Sequence, residues 1–341
     1  MSAKKIITVL LISFAVYLLL VPFISYRHFK TALKEQAFNH LITARDLVKL
    51  QIRTYLHFRY SDIDTLSRNP VIAQGFTRLL GAFRGYGIES REYQRILNLY
   101  QPLMEYYVND YGYTNIVFVS KDSDVLFTAA QSEFLGSNLS TGKYKNYTIA
   151  QVFKNGLEEI AFEDYTWNDE LSEFTSYHSA PVYDSDKLLG VLIIELPFSH
   201  FENVLTQLSG LGQTGEMYLV GEDGFMRSNS RFSAEPTMLK VEVDTLASRE
   251  ALSGYVGARI IKDYRGVPVL SAYTPLNLRF VNWALLVEID EKEAFQDIAY
   301  VENKLIIIGS IIATIDFLYL YFTRKKRDNQ NVTEPVEKSK T

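Results

Sequence analysis

Residues 216–229 read Glu216-Met-Tyr-Leu-Val220, Gly221-Glu-Asp-Gly224, Phe225-Met-Arg-Ser-Asn229. Two short runs of β-forming residues flank a four-residue glycine- and acid-rich connection, the pattern of an antiparallel hairpin. The pattern occurs earlier as well. Thr114–Ser120 and Val125–Ala130 are apolar runs joined by Lys121-Asp122-Ser123-Asp124. Each unit also closes alike, on Val191-Leu-Ile-Ile-Glu-Leu196 in the first and Ala284-Leu-Leu-Val-Glu-Ile289 in the second. A helical stretch follows each closing strand, starting near Pro197 or Glu291. The expectation is an α+β chain with two tandem modules, each an antiparallel sheet.

Upstream the period changes. Phe29, Leu33, Ala37, Leu41, Ala44, Val48, Ile52 and Tyr55 recur at spacings of three and four, one stripe of a helix reaching about Leu66. Asn69-Pro70 supplies an N-cap and first-turn proline for a helix to about Phe83. A third helix carries Tyr93, Ile96, Leu97, Tyr100, Leu103, Met104 and Tyr107 on one face.

The two ends predict membrane anchoring. Ile6–Ile24 is almost wholly apolar, close to the ~20 residues a bilayer-spanning helix needs. A second span, Leu305–Phe322, runs into Arg324, Lys325, Lys326 and Arg327, which places that end in the cytoplasm. Both termini are then cytoplasmic, and residues 27–303 lie in the periplasm or outside the cell. The tail, 324–341, is polar and short, too short for a kinase, cyclase or chemotaxis coiled coil, so signalling is expected to pass through a partner protein. The expected divisions are an anchor at 1–26, a long helix and helical linker at 27–92, modules at 93–205 and 206–303, a second span at 304–323, and the tail. Asp316 lies within the second span, where an ionisable side chain is costly, and is a candidate contact with another membrane helix. The juxtamembrane cations are candidates for contact with a partner or anionic lipid.

Composition excludes several classes. There is no cysteine, hence no disulfide, thiolate metal site or cysteine nucleophile. With 35 basic against 40 acidic residues and no basic stripe, nucleic acid is not an expected partner. The five histidines lack metal-ligand spacing, and no nucleophile elbow or paired-carboxylate motif occurs, so neither an enzyme nor a cofactor is expected. His178 and His200 read as packed or solvated. Gly210, Gly212 and Gly215 lack the preceding strand and following lysine of a phosphate loop and read as turn glycines. Asn138-Leu-Ser and Asn146-Tyr-Thr match the glycosylation pattern by chance.

The order of span, long helix, two strand-rich modules and second span resembles double Cache (dCache) sensor domains. The most specific stretches are Gly210–Gly224, Arg227–Phe232, Asp263-Tyr-Arg-Gly266 leading into Val269–Pro275, and Trp283–Ile289. The resemblance implies PAS-like Cache modules and ligand sensing in the membrane-distal module, Tyr93–Phe201. In dCache receptors for amino acids, an Arg-x-Trp-Tyr segment holds the carboxylate and two later aspartates hold the amine. Here the first region reads Lys143-Tyr144-Lys145-Asn146-Tyr147, without the arginine, while Asp164 and Glu195 stand where the aspartates are expected.

Candidate ligand residues are therefore Asp164, Tyr165, Trp167, Tyr177 and Glu195, with Lys143 and Tyr144 from loop position. Aromatic faces with carboxylates suit a cationic ligand. An amine is favoured, and the lysines leave a carboxylate possible. Glu288 occupies in the second module the place of Glu195 in the first, which gives Glu195 an equally good structural reading. The reading as a sensor is a homodimer acting through a separate signalling protein; the alternative is a docking subunit of an envelope complex.

Overall fold

The computed structural model describes residues 3–130, 132–168, 172–206 and 210–333. It divides into two compact units, residues 41–290 and the chain ends, 1–40 with 291–341. The ends hold the first part of helix α1 (Ala3–Ser67), a short α7 (Glu291–Ala294) and α8 (Gln296–Thr333). Within this unit Lys30 pairs with Glu302 at 3.8 Å, and Lys34 lies over the ring of Phe295. Among the described residues one helix segment, Gln296–Tyr319, is long and apolar enough to cross a membrane. The expected first span is helical, but most of its side chains lie outside the described residues, as does that of Asp316.

The larger unit begins with the rest of α1. Leu41, Val48, Ile52, Leu56, Ile63 and Leu66 are buried on it. The predicted stripe matches the buried line at Leu41, Val48 and Ile52, but Phe29 at its start is exposed, Arg45 takes the place of Ala44, and Leu56 that of Tyr55. The Arg45 guanidinium donates from Nη1 to the carbonyls of Gly257 (3.2 Å) and Tyr273 (3.3 Å). Two further helices follow, α2 (Pro70–Tyr86) and α3 (Arg91–Tyr111). Asn69 caps α2 by accepting from the Val71 amide at 2.9 Å, with Pro70 in the first turn. Asn69→Ala is expected to lower stability by about 1 kcal/mol, read as a shift in denaturation midpoint without a change in slope.

The first sheet has the order β2-β1-β5-β4-β3, all antiparallel, from β1 (Asn115–Ser120), β2 (Val125–Thr128), β3 (Ala161–Asn168), β4 (Glu173–Asp184) and β5 (Lys187–Pro197). One face receives α2 and α3 through Phe76, Leu79, Tyr93 and Met104 against Phe118, Phe127 and Leu192. The other receives α4 (Thr148–Gly156) and the loop before it, through Ile149, Val152, Phe153, Phe134 and Leu139. Covered on both faces, β1 and β5 read as unbroken apolar runs rather than alternating ones.

After α5 (Ser199–Thr206) comes the second sheet, order β6-β9-β8-β7, from β6 (Glu216–Val220), β7 (Gly257–Lys262), β8 (Pro268–Pro275) and β9 (Ala284–Asp290). Helix α6 (Leu246–Leu252) covers one face, with Ala247 and Ala251 against Tyr218, Tyr273 and Leu286.

One expected strand is absent. Phe225–Asn229 forms only isolated bridges, Val220 with Met226 and Phe225 with Glu242. The turn exists, with the Gly221 amide donating to Phe225 O at 2.9 Å. Beyond it the Arg227 amide still donates to Leu219 O at 2.8 Å, and side chains serve the rest: Ser228 Oγ accepts from the Leu219 amide, and Asn229 Oδ1 accepts from the amides of Thr237 and Met238. The chain is held without a continuous ladder.

Candidate functional site

The first sheet's α4 side carries a cavity of about 330 Å³. Strands β3 and β4 form its floor through Thr166, Trp167, Asn168 and Tyr177. The start of α4 and the preceding loop form its sides through Glu133, Phe134, Lys143, Tyr144, Tyr147 and Thr148. Phe134, Tyr144 and Tyr147 meet edge to face, with ring centroids 4.7 and 5.3 Å apart, which gives the loop side an aromatic wall. Trp167 stands opposite, half exposed and braced edge-on by Phe174 at 5.1 Å.

Behind the floor lies Glu195 of β5, buried and paired in register with Tyr177 and Asn115. Its Oε1 accepts from Tyr177 OH at 2.9 Å and from Asn168 Nδ2 at 2.8 Å. Two donors of the floor are thus consumed by the carboxylate, and what that wall offers a ligand is acceptor capacity backed by negative charge. Burial, then the Glu195 charge, pushes the Tyr177 phenol well above its ordinary value, so it stays a donor to Glu195. At the rim Lys143 Nζ lies 2.6 Å from Glu133 Oε2, which also accepts from Tyr144 OH at 3.1 Å. Lys143 is matched locally by Glu133.

Of the sequence-predicted residues, the structure brings together Lys143, Tyr144, Trp167 and Tyr177, with Glu195 directly behind. It does not bring Asp164 and Tyr165 there. A register shift between Glu163 and Thr166 turns this part of β3 away from the cavity. Asp164 Oδ2 accepts instead from Arg227 Nε at 2.9 Å and Trp283 Nε1 at 3.1 Å. Tyr165 is buried against Phe198, Phe201 and Trp283, with ring centroids 5.3 to 6.0 Å away. The residue beside Glu195 is Asn168, so the pair is a carboxylate and an amide, not two carboxylates. Asn168, Glu133, Tyr147 and Thr148 were missed. Only their nearness in sequence to Trp167 and Tyr144 pointed to them.

Among the described residues no group of three His, Asp or Glu side chains is placed to hold a metal ion.

The Cache domain model matches residues 25–298. The chain belongs to the Cache domain family. Its fold is similar to that of the ligand-binding domain of the Campylobacter jejuni chemoreceptor Tlp3, in complex with 4-methylisoleucine. That structure is 14% identical, with a TM-score of 0.54 over 77% of this chain and 94% of the other. The ligand-binding domain of the Pseudomonas fluorescens chemoreceptor CtaA, in complex with L-leucine, is also 14% identical. It covers 78% of this chain and 99% of the other, with a TM-score of 0.50. No curated protein matches this Cache chain. At these identities the likeness is one of fold, and the two antiparallel sheets beside a long N-terminal helix are that Cache-like fold.

Proposed function

We propose that this Cache protein is a membrane-anchored, extracytoplasmic sensor that holds a small ammonium-bearing ligand in the Trp167 cavity. The observation that carries the reading is the floor of that cavity, where Glu195 absorbs the donors of Tyr177 and Asn168. Such a wall favours a cationic donor, and the faces of Trp167, Tyr144 and Tyr147 favour its cation–π contact. A carboxylate on the same ligand, as in an amino acid, competes with Glu133 for Lys143 at the rim. The amino acids named with Tlp3 and CtaA carry both groups. On this reading the segments Ile6–Ile24 and Leu305–Phe322 both span the membrane, the modules divide near residues 205 and 206, and occupancy shifts the population of two arrangements read by a separate protein through α8.

The test is thermal unfolding of the full-length chain in nanodiscs against amines, amino acids, organic acids and purines. A ligand at ~100 times its Kd adds roughly 2.7 kcal/mol, a rise of roughly 5–10 °C in Tm for a domain this size. Trp167→Ala, at a half-exposed position, and Glu195→Gln, which keeps the shape and removes the charge, are expected to abolish the rise. A panel with no hit, or a hit untouched by both variants, would overturn the assignment and favour the docking role.

A further inference from the structure

A second cavity, of about 300 Å³, lies where α1 meets the first sheet and the loop between β8 and β9. It shares no lining residue with the Trp167 cavity. Tyr60 of α1, Phe162 of β3 and Phe280 of the β8–β9 loop give it aromatic walls. His178 of β4 closes its buried end.

His178 is the informative residue. It is 2% exposed, and among the described residues neither ring nitrogen has a hydrogen-bond partner. Phe162 meets the imidazole edge-on at 4.7 Å and Phe280 lies at 6.4 Å, so aromatic carbon faces it on two sides. Burial, with Arg59 adding to it, pushes its pKa down to about 3, which keeps the ring neutral, with one donor and one acceptor nitrogen. A buried polar side chain with both functions unmet, facing a cavity, is an unfilled half of a hydrogen-bond set.

The open side has a definite charge. Arg53 and Arg279 are exposed there, and among the described residues no Asp or Glu lines the cavity. Arg279 donates to Tyr60 OH at 2.7 Å and lies over the rings of Tyr60 and Phe280. Arg53 has no ion-pair partner among the described residues. The volume is at the small end of the range for organic ligands.

We propose that this cavity is a second ligand site, for a small aromatic carboxylate that also bears a hydroxyl. The ring sits among Tyr60, Phe162 and Phe280. The carboxylate meets the guanidiniums of Arg53 and Arg279, the side chains suited to a planar oxyanion. The hydroxyl, donor and acceptor at once, answers the imidazole of His178. An occupant touches α1, the first sheet and the β8–β9 loop together, and so fixes their arrangement in a way the Trp167 cavity, built from the first sheet's side alone, does not.

The experiment is calorimetric titration of the full-length chain, in nanodiscs of uncharged lipid, with 4-hydroxybenzoate. Benzoate removes the hydroxyl and 4-hydroxybenzyl alcohol removes the charge. The expected result is one saturable event, weakened about tenfold or more by either analogue and by Arg53→Gln, Arg279→Gln or His178→Phe, and unchanged by Trp167→Ala. Arg53→Gln, at an exposed position, keeps the test valid if His178→Phe does not fold. No saturable heat at millimolar 4-hydroxybenzoate overturns the proposal. Binding that survives Arg53→Gln and is lost in Trp167→Ala also overturns it, by placing the ligand in the first cavity.

Discussion

Arg227→Ala is expected to destabilise the 41–290 unit by about 3 kcal/mol and to lower its Tm by roughly 6–12 °C. The Arg227 side chain is only 7% exposed and spends its whole fork: Nε to Asp164 at 2.9 Å, Nη2 to Asp223 at 2.8 Å, and Nη1 to Phe225 O at 3.1 Å. It ties the β6 turn of the second sheet to β3 of the first, and Trp283 completes the junction through the same Asp164 oxygen. Gly221 lies under the guanidinium so closely that a Cβ there would collide with it. Removing one partner of a buried pair costs roughly 3–5 kcal/mol, because the other is left unmatched. The lower end applies here, since Asp164 and Asp223 are 27% and 50% exposed and water recovers part of the loss. Arg227→Lys should restore little, because an ammonium cannot reach three acceptors in one plane. Asp164→Ala should cost less, about 2 kcal/mol, and the double variant less than the sum of the two. The same series separates two roles for Asp164. As a bridge, it moves Tm and leaves ligand affinity in the Trp167 cavity unchanged; as a ligand residue, it would do the reverse. An Arg227→Ala effect below about 1 kcal/mol would remove the bridge from any account of how the sheets are joined.

Where the sequence was legible and where it was not follows from this junction. Strands β1, β5, β6 and β9 were readable because burial on both faces, or beside a covered neighbour, leaves apolar runs that few other structures accommodate. Helix boundaries at Asn69-Pro70 were readable because the cap chemistry is local. The sides of β3 were not. A strand's period of two predicts facing only while the ladder is regular, and the register shift between Glu163 and Thr166 gives Asp164 to Arg227 and Trp167 to the cavity. Arg45 was invisible for a related reason. A charged residue on a helix's buried line looks like an interruption until the carbonyls of Gly257 and Tyr273 are seen to receive it. Asn168 carried no signal of its own, since an amide becomes informative only beside the carboxylate it serves. Arg227 and Trp283 stood in the stretches that marked the family, but their joint partner, Asp164, lies 63 residues from one and 119 from the other.

Acidification from pH 6.5 to 4.5 is expected to leave the stability of the unaltered protein nearly flat, while driving two variants in opposite directions. The reason is a pair of buried groups of opposite sign. Glu288 lies in the core of the second sheet, where Tyr218 donates to it at 2.9 Å. Burial, with Asp263 and Glu216 adding to it, raises its pKa from 4.5 to about 7. Between those values the folded protein holds a proton that the unfolded chain has released, so stability grows as pH falls, by about 2 kcal/mol from pH 6.5 to 4.5 at ~1.4 kcal/mol per factor of ten in proton affinity. His178 does the opposite. Its pKa falls from 6.5 to about 3, so the unfolded chain takes up a proton the folded one refuses, and the same acidification removes about 2 kcal/mol. Glu163, also raised chiefly by burial, acts with Glu288, but more weakly because it is half-buried. Asp223 is held below the usual range: burial would raise it, but the hydrogen bond and charge of Arg227 together with backbone amide bonds outweigh that, so its contribution is lost only at lower pH. In Glu288→Gln the histidine slope dominates over the weaker one of Glu163, and urea midpoints should fall from pH 6.5 to 4.5, starting from a protein more stable than the parent at pH 8. In His178→Phe the carboxyl slope dominates over that of His200, which burial also shifts down, and midpoints should rise over the same interval. Parallel curves for the two variants would show that neither group crosses the membrane-side pH range in the state its burial dictates, whereas divergence would make the flat response of the parent a cancellation between the two sheets rather than an absence of titration.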